Sequence, residues 1–337
     1  MTEWEQELNL RVTTRRKRPF DWGLEFLEGI DPQSDPRQEM RRYSRDALRN
    51  SADFYSFTEV PDFRLRDGVL EFRSAVQSPY PENNTVYARY FPCRKSRAAV
   101  VVLPQWNADE ESHLTLCRLM NRFGLSALRL SLPYHERRRP IGLNRADYIV
   151  DANIGRTLQA NRQAVLDVRL AVEWLIRQGH GPIGLSGTSL GACIGFLAFV
   201  HEPRIASVVY NLGSSWFADV VWYGNTTPHV REGIEGEISL EELRGFWAAI
   251  SPWPLIERLQ GQKRPALLIS ARYDYTFLPE QTRDFVRESR RCRVPLRQIH
   301  LPCGHYTLGR FPFNWTDGLI ICAYLRHQLN RAGPGRR

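Results

Sequence analysis

The amino-acid sequence predicts an α/β protein with a mainly parallel central sheet flanked by helices. From residue 98 onward, short continuous apolar runs alternate with amphipathic stretches of helical period, the pattern of buried strands joined by crossover helices. A hairpin pattern precedes that alternation and can edge the larger sheet. Of the 337 residues, 42% are hydrophobic and 25% charged, a composition able to bury a large core. The length exceeds the usual single domain, and one domain with an inserted cap accounts for it.

In chain order, residues 1–60 are charged and short of sustained periodicity, and read as an N-terminal extension with helices expected near Asp21–Glu28 and Pro36–Asn50. Residues 68–76 and 85–91, separated by the turn at Pro79–Asn84, form the expected hairpin. The run Ala98–Leu103 is the first buried strand, followed by a helix over Glu111–Phe123 that Gly124 stops. The next strand spans Leu125–Leu132. A long helix follows a polar loop, with Val165, Val168, Val172, Leu175 and Ile176 on one face and Gly179 at its end. Further strands are expected at 182–186, 205–211, 265–270 and 296–301, with helices near 190–200, 279–290 and 315–329. About fifty residues separate two of these strands, from 214 to 262, and they are rich in aromatics. That is too long for an ordinary connection and predicts the cap. Residues 61–330 make up the main domain around this insertion, and 331–337 a short basic tail.

The net charge of +9 raises nucleic acid as a partner, but the basic residues are scattered through every segment, and lysine occurs only at 17, 95 and 263. A phosphate-binding footprint needs clustered cations, so no nucleic acid is expected. The six cysteines form no C-x-x-C pair and no metal-ligand spacing with the histidines, which points to free thiols in a reducing compartment and to no metal. Arg15-Arg16 is followed by proline and acids rather than an apolar stretch, so export is not expected. With no apolar run of about 18 residues, neither is a membrane span. A cytoplasmic protein without cofactor follows as the expectation.

Gly187-Thr188-Ser189-Leu190-Gly191 lies between an apolar strand and a helix. A nucleophilic serine there sits on a sharp turn above the sheet, flanking glycines let strand and helix approach, and the helix start favours developing negative charge. The hydroxyl needs a base, and the base needs a carboxylate to fix its tautomer. Asp274 and His305 follow, each just past a later strand, so Ser189, Asp274 and His305 are the candidate catalytic residues. The backbone N–H groups of Leu190 and of Trp106 or Gln105, in the loop after the first buried strand, are the candidate oxyanion donors. Tyr134, His135, Trp216, Trp222 and His229 are candidates for the pocket, while Arg137-Arg138-Arg139 reads as a solvated cluster. The string Gly179-x-Gly181-x-x-Gly184 precedes a strand and contains Pro182, so it is not a dinucleotide site.

These residues resemble the α/β-hydrolase superfamily, with the elbow at 187–191, the acid at Asp274 and the histidine at His305 in matching order over about residues 62–330. Ser131-Leu132-Pro133-Tyr134-His135 and Leu301-Pro302-Cys303-Gly304-His305 are similar to dienelactone-hydrolase-like and uncharacterised α/β-hydrolase domain proteins. Pro104-Gln105-Trp106 stands where many esterases carry a His-Gly-Gly loop. The resemblance implies a serine hydrolase acting on a small-molecule acyl substrate, foremost a carboxylic ester, through an acyl-enzyme. Amidase, peptidase, thioesterase or acyltransferase chemistry uses the same groups. A non-catalytic binding protein on a hydrolase scaffold is the alternative of another class.

Overall fold

Nine strands pair into one sheet in the order β1-β2-β3-β5-β4-β6-β7-β8-β9. In this computed structural model, which describes residues 1–31 and 33–333, they are β1 (Arg64–Arg66), β2 (Val69–Arg73), β3 (Thr85–Phe91), β4 (Ala99–Leu103), β5 (Ser126–Leu130), β6 (Ile183–Thr188), β7 (Ile205–Asn211), β8 (Ala266–Ala271) and β9 (Leu296–Leu301). The first three are antiparallel to their neighbours, and all pairings from β5 to β9 are parallel. Both β4 and β5 are buried at every residue, as strands covered on two faces must be. The chain passes from β4 outward to β5 and returns to lay β6 on the other side of β4. This reversal opens a crevice at the carboxyl ends of β4 and β6.

Eleven helices are described: α1 (Thr2–Leu10), α2 (Pro36–Arg49), α3 (Ser51–Phe54), α4 (Leu114–Arg122), α5 (Ile154–Arg177), α6 (Leu190–His201), α7 (Phe217–Tyr223), α8 (Pro228–Ile234), α9 (Leu240–Phe246), α10 (Pro279–Arg291) and α11 (Phe313–Ala332). Helices α5 and α6 pack together on one face of the sheet, where Phe285 of α10 meets Phe196 of α6 edge-on at 5.6 Å. Helices α4 and α11 pack together on the other face. The 24-residue α5 starts at the cap Asn153, whose side chain accepts from the Arg156 N–H.

The segment 214–262 folds as α7, α8, α9 and two 3₁₀ turns, and α2 packs against α9. Tyr55, fully buried, donates its hydroxyl to the Ala249 carbonyl at 2.9 Å, and Arg37 binds Glu242 and the Glu237 carbonyl. Part of the first sixty residues thus packs directly against the segment 214–262.

Two differences from the sequence expectation have local causes. The helix expected over Asp21–Glu28 is only a 3₁₀ turn at Leu24–Phe26. The carbonyls of Asp21 and Trp22, which a helix would use internally, accept instead from Ile154 and Gly155 at the start of α5 (3.0 and 2.9 Å). Gly155 is required there, because a Cβ would lie 2.1 Å from the Gly23 carbonyl oxygen. Helix α1 was not expected, since its sequence carries little apolar stripe; its buried residues are Glu5, Leu8 and Asn9. The basic tail begins inside α11, and residues 334–337 of it lie outside the described residues.

Arg138 also departs from the solvated cluster expected at 137–139. It is fully buried, pairs with buried Asp167 of α5 at 2.9 Å, and donates to the carbonyls of Asn83 and Ser131. Asp167 accepts in turn from Ser74 at 2.6 Å. Removing one partner strands the other charge in the interior, so Arg138→Met is expected to cost about 3–5 kcal/mol, measured by urea unfolding. A loss below about 1 kcal/mol would show that the pair contributes little.

Candidate functional site

Ser189 forms the junction of β6 and α6 with φ 56° and ψ −117°, a backbone conformation that L-residues hold only under constraint. The glycines on either side make the turn feasible. A Cβ on Gly187 would fall 2.0 Å from the Gly191 oxygen, and one on Gly191 would fall 2.5 Å from the Leu103 oxygen. The Ser189 N–H donates to the Asn211 carbonyl of β7 at 2.8 Å, which fixes the elbow to the sheet.

The Ser189 hydroxyl lies 2.9 Å from His305 Nε2, and His305 Nδ1 lies 3.0 and 3.2 Å from the two Asp274 oxygens. Asp274, buried just beyond β8, also accepts from the backbone N–H groups of Thr276 and Phe277 at 2.8 and 2.7 Å, which orients its carboxylate. Burial is the largest influence on His305 and pushes its pKa down. The Asp274 charge and hydrogen bond, with a smaller effect from Glu5, outweigh it and leave His305 above its ordinary value. In this arrangement the hydroxyl can pass its proton to a neutral imidazole whose other nitrogen is held by a carboxylate.

A cavity of about 970 Å³ opens above Ser189, lined also by His305, Leu190, Gln105, Trp106 and His135. The backbone N–H groups of Leu190, Trp106 and Gln105 donate to no acceptor among the described residues. The next residue, Asn107, is committed: its N–H donates to His135 Nε2 at 2.9 Å, and its side-chain oxygen accepts from Ala146. His135 Nδ1 donates to the Pro133 carbonyl, so the ring is the neutral tautomer, and burial holds its pKa down near about 3. Trp106 is held through its indole N–H on the Ala146 carbonyl at 2.9 Å. The loop after β4 is therefore clamped by residues 133–146.

The other pocket candidates lie elsewhere. Tyr134 is buried among Tyr80 and Tyr148, Trp216 stacks on Trp253, and Trp222 lies under Arg231. His229 stacks on Trp106 at 6.0 Å without lining the cavity, and burial lowers its pKa to about 4. The insertion contributes Phe217, Val220 and Val221 to the wall instead. Sequence reasoning also missed Asp317 of α11, which lines the cavity and accepts from Asn211 at 2.8 Å. Burial raises its pKa to about 7. A helical aspartate with no motif around it carries no signal of this. Val12, Thr14 and Arg15 of the N-terminal segment were likewise unforeseen in the wall.

No family model matches the sequence, and no curated protein does. Solved structures do resemble it. The acylaminoacyl peptidase of Pyrococcus horikoshii aligns with TM-score 0.62 at 15% identity over 83% of this chain and 43% of that one, so the chain spans less than half of that peptidase. An esterase of Pyrococcus furiosus aligns with TM-score 0.53 at 16% identity, over 80% of this chain and 94% of that one. Est1E from Butyrivibrio proteoclasticus, with ferulic acid bound, gives 0.52 at 12%, over 73% and 96%.

A neutral buried His135 adds stability above its unfolded pKa of about 6.5 and loses it as the unfolded chain takes up a proton that the native ring refuses. The stability difference between the parent and His135→Asn, from urea unfolding, should therefore shrink below pH 6.5 by up to about 1.4 kcal/mol per pH unit. A difference constant from pH 7.5 to 5 would contradict the neutral, buried assignment.

Proposed function

On the α/β-hydrolase fold that this chain shares with those enzymes, we propose that it is a serine hydrolase that cleaves a carboxylic ester through an acyl-enzyme on Ser189. The observation that carries this reading is the continuous hydrogen-bonded path from the Ser189 hydroxyl through His305 to buried Asp274, on a strained turn facing a large cavity.

His305 Nε2 takes the hydroxyl proton as Ser189 attacks the carbonyl carbon. Asp274 holds the imidazole in the tautomer that presents a free Nε2, and stabilises the imidazolium that forms. The oxyanion faces the Leu190 N–H at the start of α6 and the Trp106 or Gln105 N–H of the loop after β4. Collapse of the intermediate breaks the bond to the alcohol, and His305 returns the proton to it. A water molecule then attacks the acyl carbonyl with His305 again as base, which releases the acid and restores Ser189. Apolar Leu190, Phe217, Val220 and Val221 in the cavity wall suit an acyl or aromatic group. An amide, a thioester or an alcohol acceptor would engage the same groups, and a substrate panel separates them.

A fluorophosphonate should modify the parent protein once, at Ser189, and leave Ser189→Ala unmodified. Ester hydrolysis should fall at least about 10⁴-fold in that variant, and about 10⁴-fold in Asp274→Asn. No labelling of the folded parent would overturn the proposal. Since His305 must be neutral to act as base and its pKa is raised, the acid limb of kcat/KM should have its midpoint above the ordinary histidine value of about 6.5.

A further inference from the structure

The first fifteen residues reach the loop that carries His305, and Glu5 is their anchor. Glu5 is completely buried. Its two carboxylate oxygens accept from the backbone N–H groups of Tyr306 and Thr307, at 2.7 and 2.9 Å. Among the described residues no lysine or arginine lies within ion-pair distance of it. A carboxylate withdrawn from water without a counter-ion is costly unless strong donors replace the lost hydration, and these two N–H groups are the donors it has. The chain also leaves room for it: a Cβ on Gly304 would lie 2.4 Å from the Glu5 carboxyl. Arg15 adds a second tie, donating to the Tyr306 hydroxyl at 2.7 Å, and Asn9 donates to the Asn225 carbonyl at 3.2 Å. The residue before His305 and the two after it thus all meet the N-terminal segment.

We infer that Glu5 is a positioning residue for His305, and that residues 1–15 complete the candidate site instead of forming a detachable extension. The inference rests on reading Ser189 and His305 as nucleophile and base. Without Glu5, Tyr306 and Thr307 lose the acceptors of their N–H groups, and the turn that aims the imidazole at Ser189 loses its outer support. Glu5 also acts through its charge. The charged and titratable groups around His305 are Asp274 beyond β8, Ser189 on the elbow, Glu5 on α1, and Tyr306 with its partner Arg15, while Asp317 of α11 lines the same cavity. Of these, Asp274 and Glu5 favour the protonated ring. Taking the negative charge from Glu5 therefore makes His305 less basic.

The test is the rate of fluorophosphonate labelling at Ser189 from pH 5 to 9 on the full chain, with circular dichroism to follow the folded fraction. In Glu5→Gln, which keeps the size and loses the charge, the plateau rate per folded molecule should fall tenfold or more, and the acid limb should move to lower pH. In Glu5→Asp, which keeps the charge and withdraws it by one methylene, the plateau should fall while the limb stays near its parental position. A plateau within twofold of the parent with an unmoved limb in both variants overturns the inference alone, as does a loss of rate that merely tracks loss of folded protein. Should Glu5→Gln fail to fold, a parental plateau in Glu5→Asp is the overturning result. Absence of labelling in the parent overturns the serine-hydrolase reading and this inference with it.

Discussion

The strained turn at Ser189 is the constraint to which the rest of the site is fitted. A positive φ at a residue with a side chain persists only where its surroundings leave no alternative. Here β6 enters from below, the Asn211 carbonyl holds the Ser189 N–H, and two glycines admit backbone at distances that a methyl group would forbid. The sheet order places this turn beside the end of β4, so the loop of residues 104–108 and the start of α6 share one crevice. Everything added later in the chain, the aspartate after β8 and the histidine after β9, approaches that fixed point.

Around it, precision comes from buried polar groups with assigned partners. Arg138 and Asp167 tie the loop after β5 to α5, His135 and Asn107 tie that loop to the one after β4, and Glu5 ties α1 to the loop after β9. Each link joins two segments that the apolar core alone would leave free to slide, because hydrophobic packing specifies burial more strongly than direction. The fold thus uses its apolar strands to place elements and its buried polar groups to orient loops.

What could be read from the sequence follows from the range of each signal. The strands announced themselves through local apolar runs, and Ser189, Asp274 and His305 through their places just past three of those strands; the structure brings these three within hydrogen-bond distance. The aromatics were legible as buried but not by address, since an apolar ring near a cavity and one inside a helix interface share the same residue type. Trp216 and Trp222 are half-buried, one stacked on Trp253 and the other under Arg231, while Phe217 reaches the cavity wall. His135 stood in the right loop, but whether it faces substrate or a neighbouring backbone N–H depends on Asn107, 28 residues earlier. Glu5 could not be found at all, because its meaning lies in a contact made 302 residues later.

That separation has a consequence for how the molecule comes into being. A ribosome releases α1 before any strand of the sheet, and its partner loop emerges only after all nine strands have been made. Until then the Glu5 carboxylate lacks both of these donors, and the contact that clasps it to Tyr306 and Thr307 can form only after the loop past β9 has been made. A growing chain holds the turn at Ser189 long before it holds His305, so the hydrogen bond between the two, and the Glu5 contact beside it, can form only once residues far apart in the sequence have all been made.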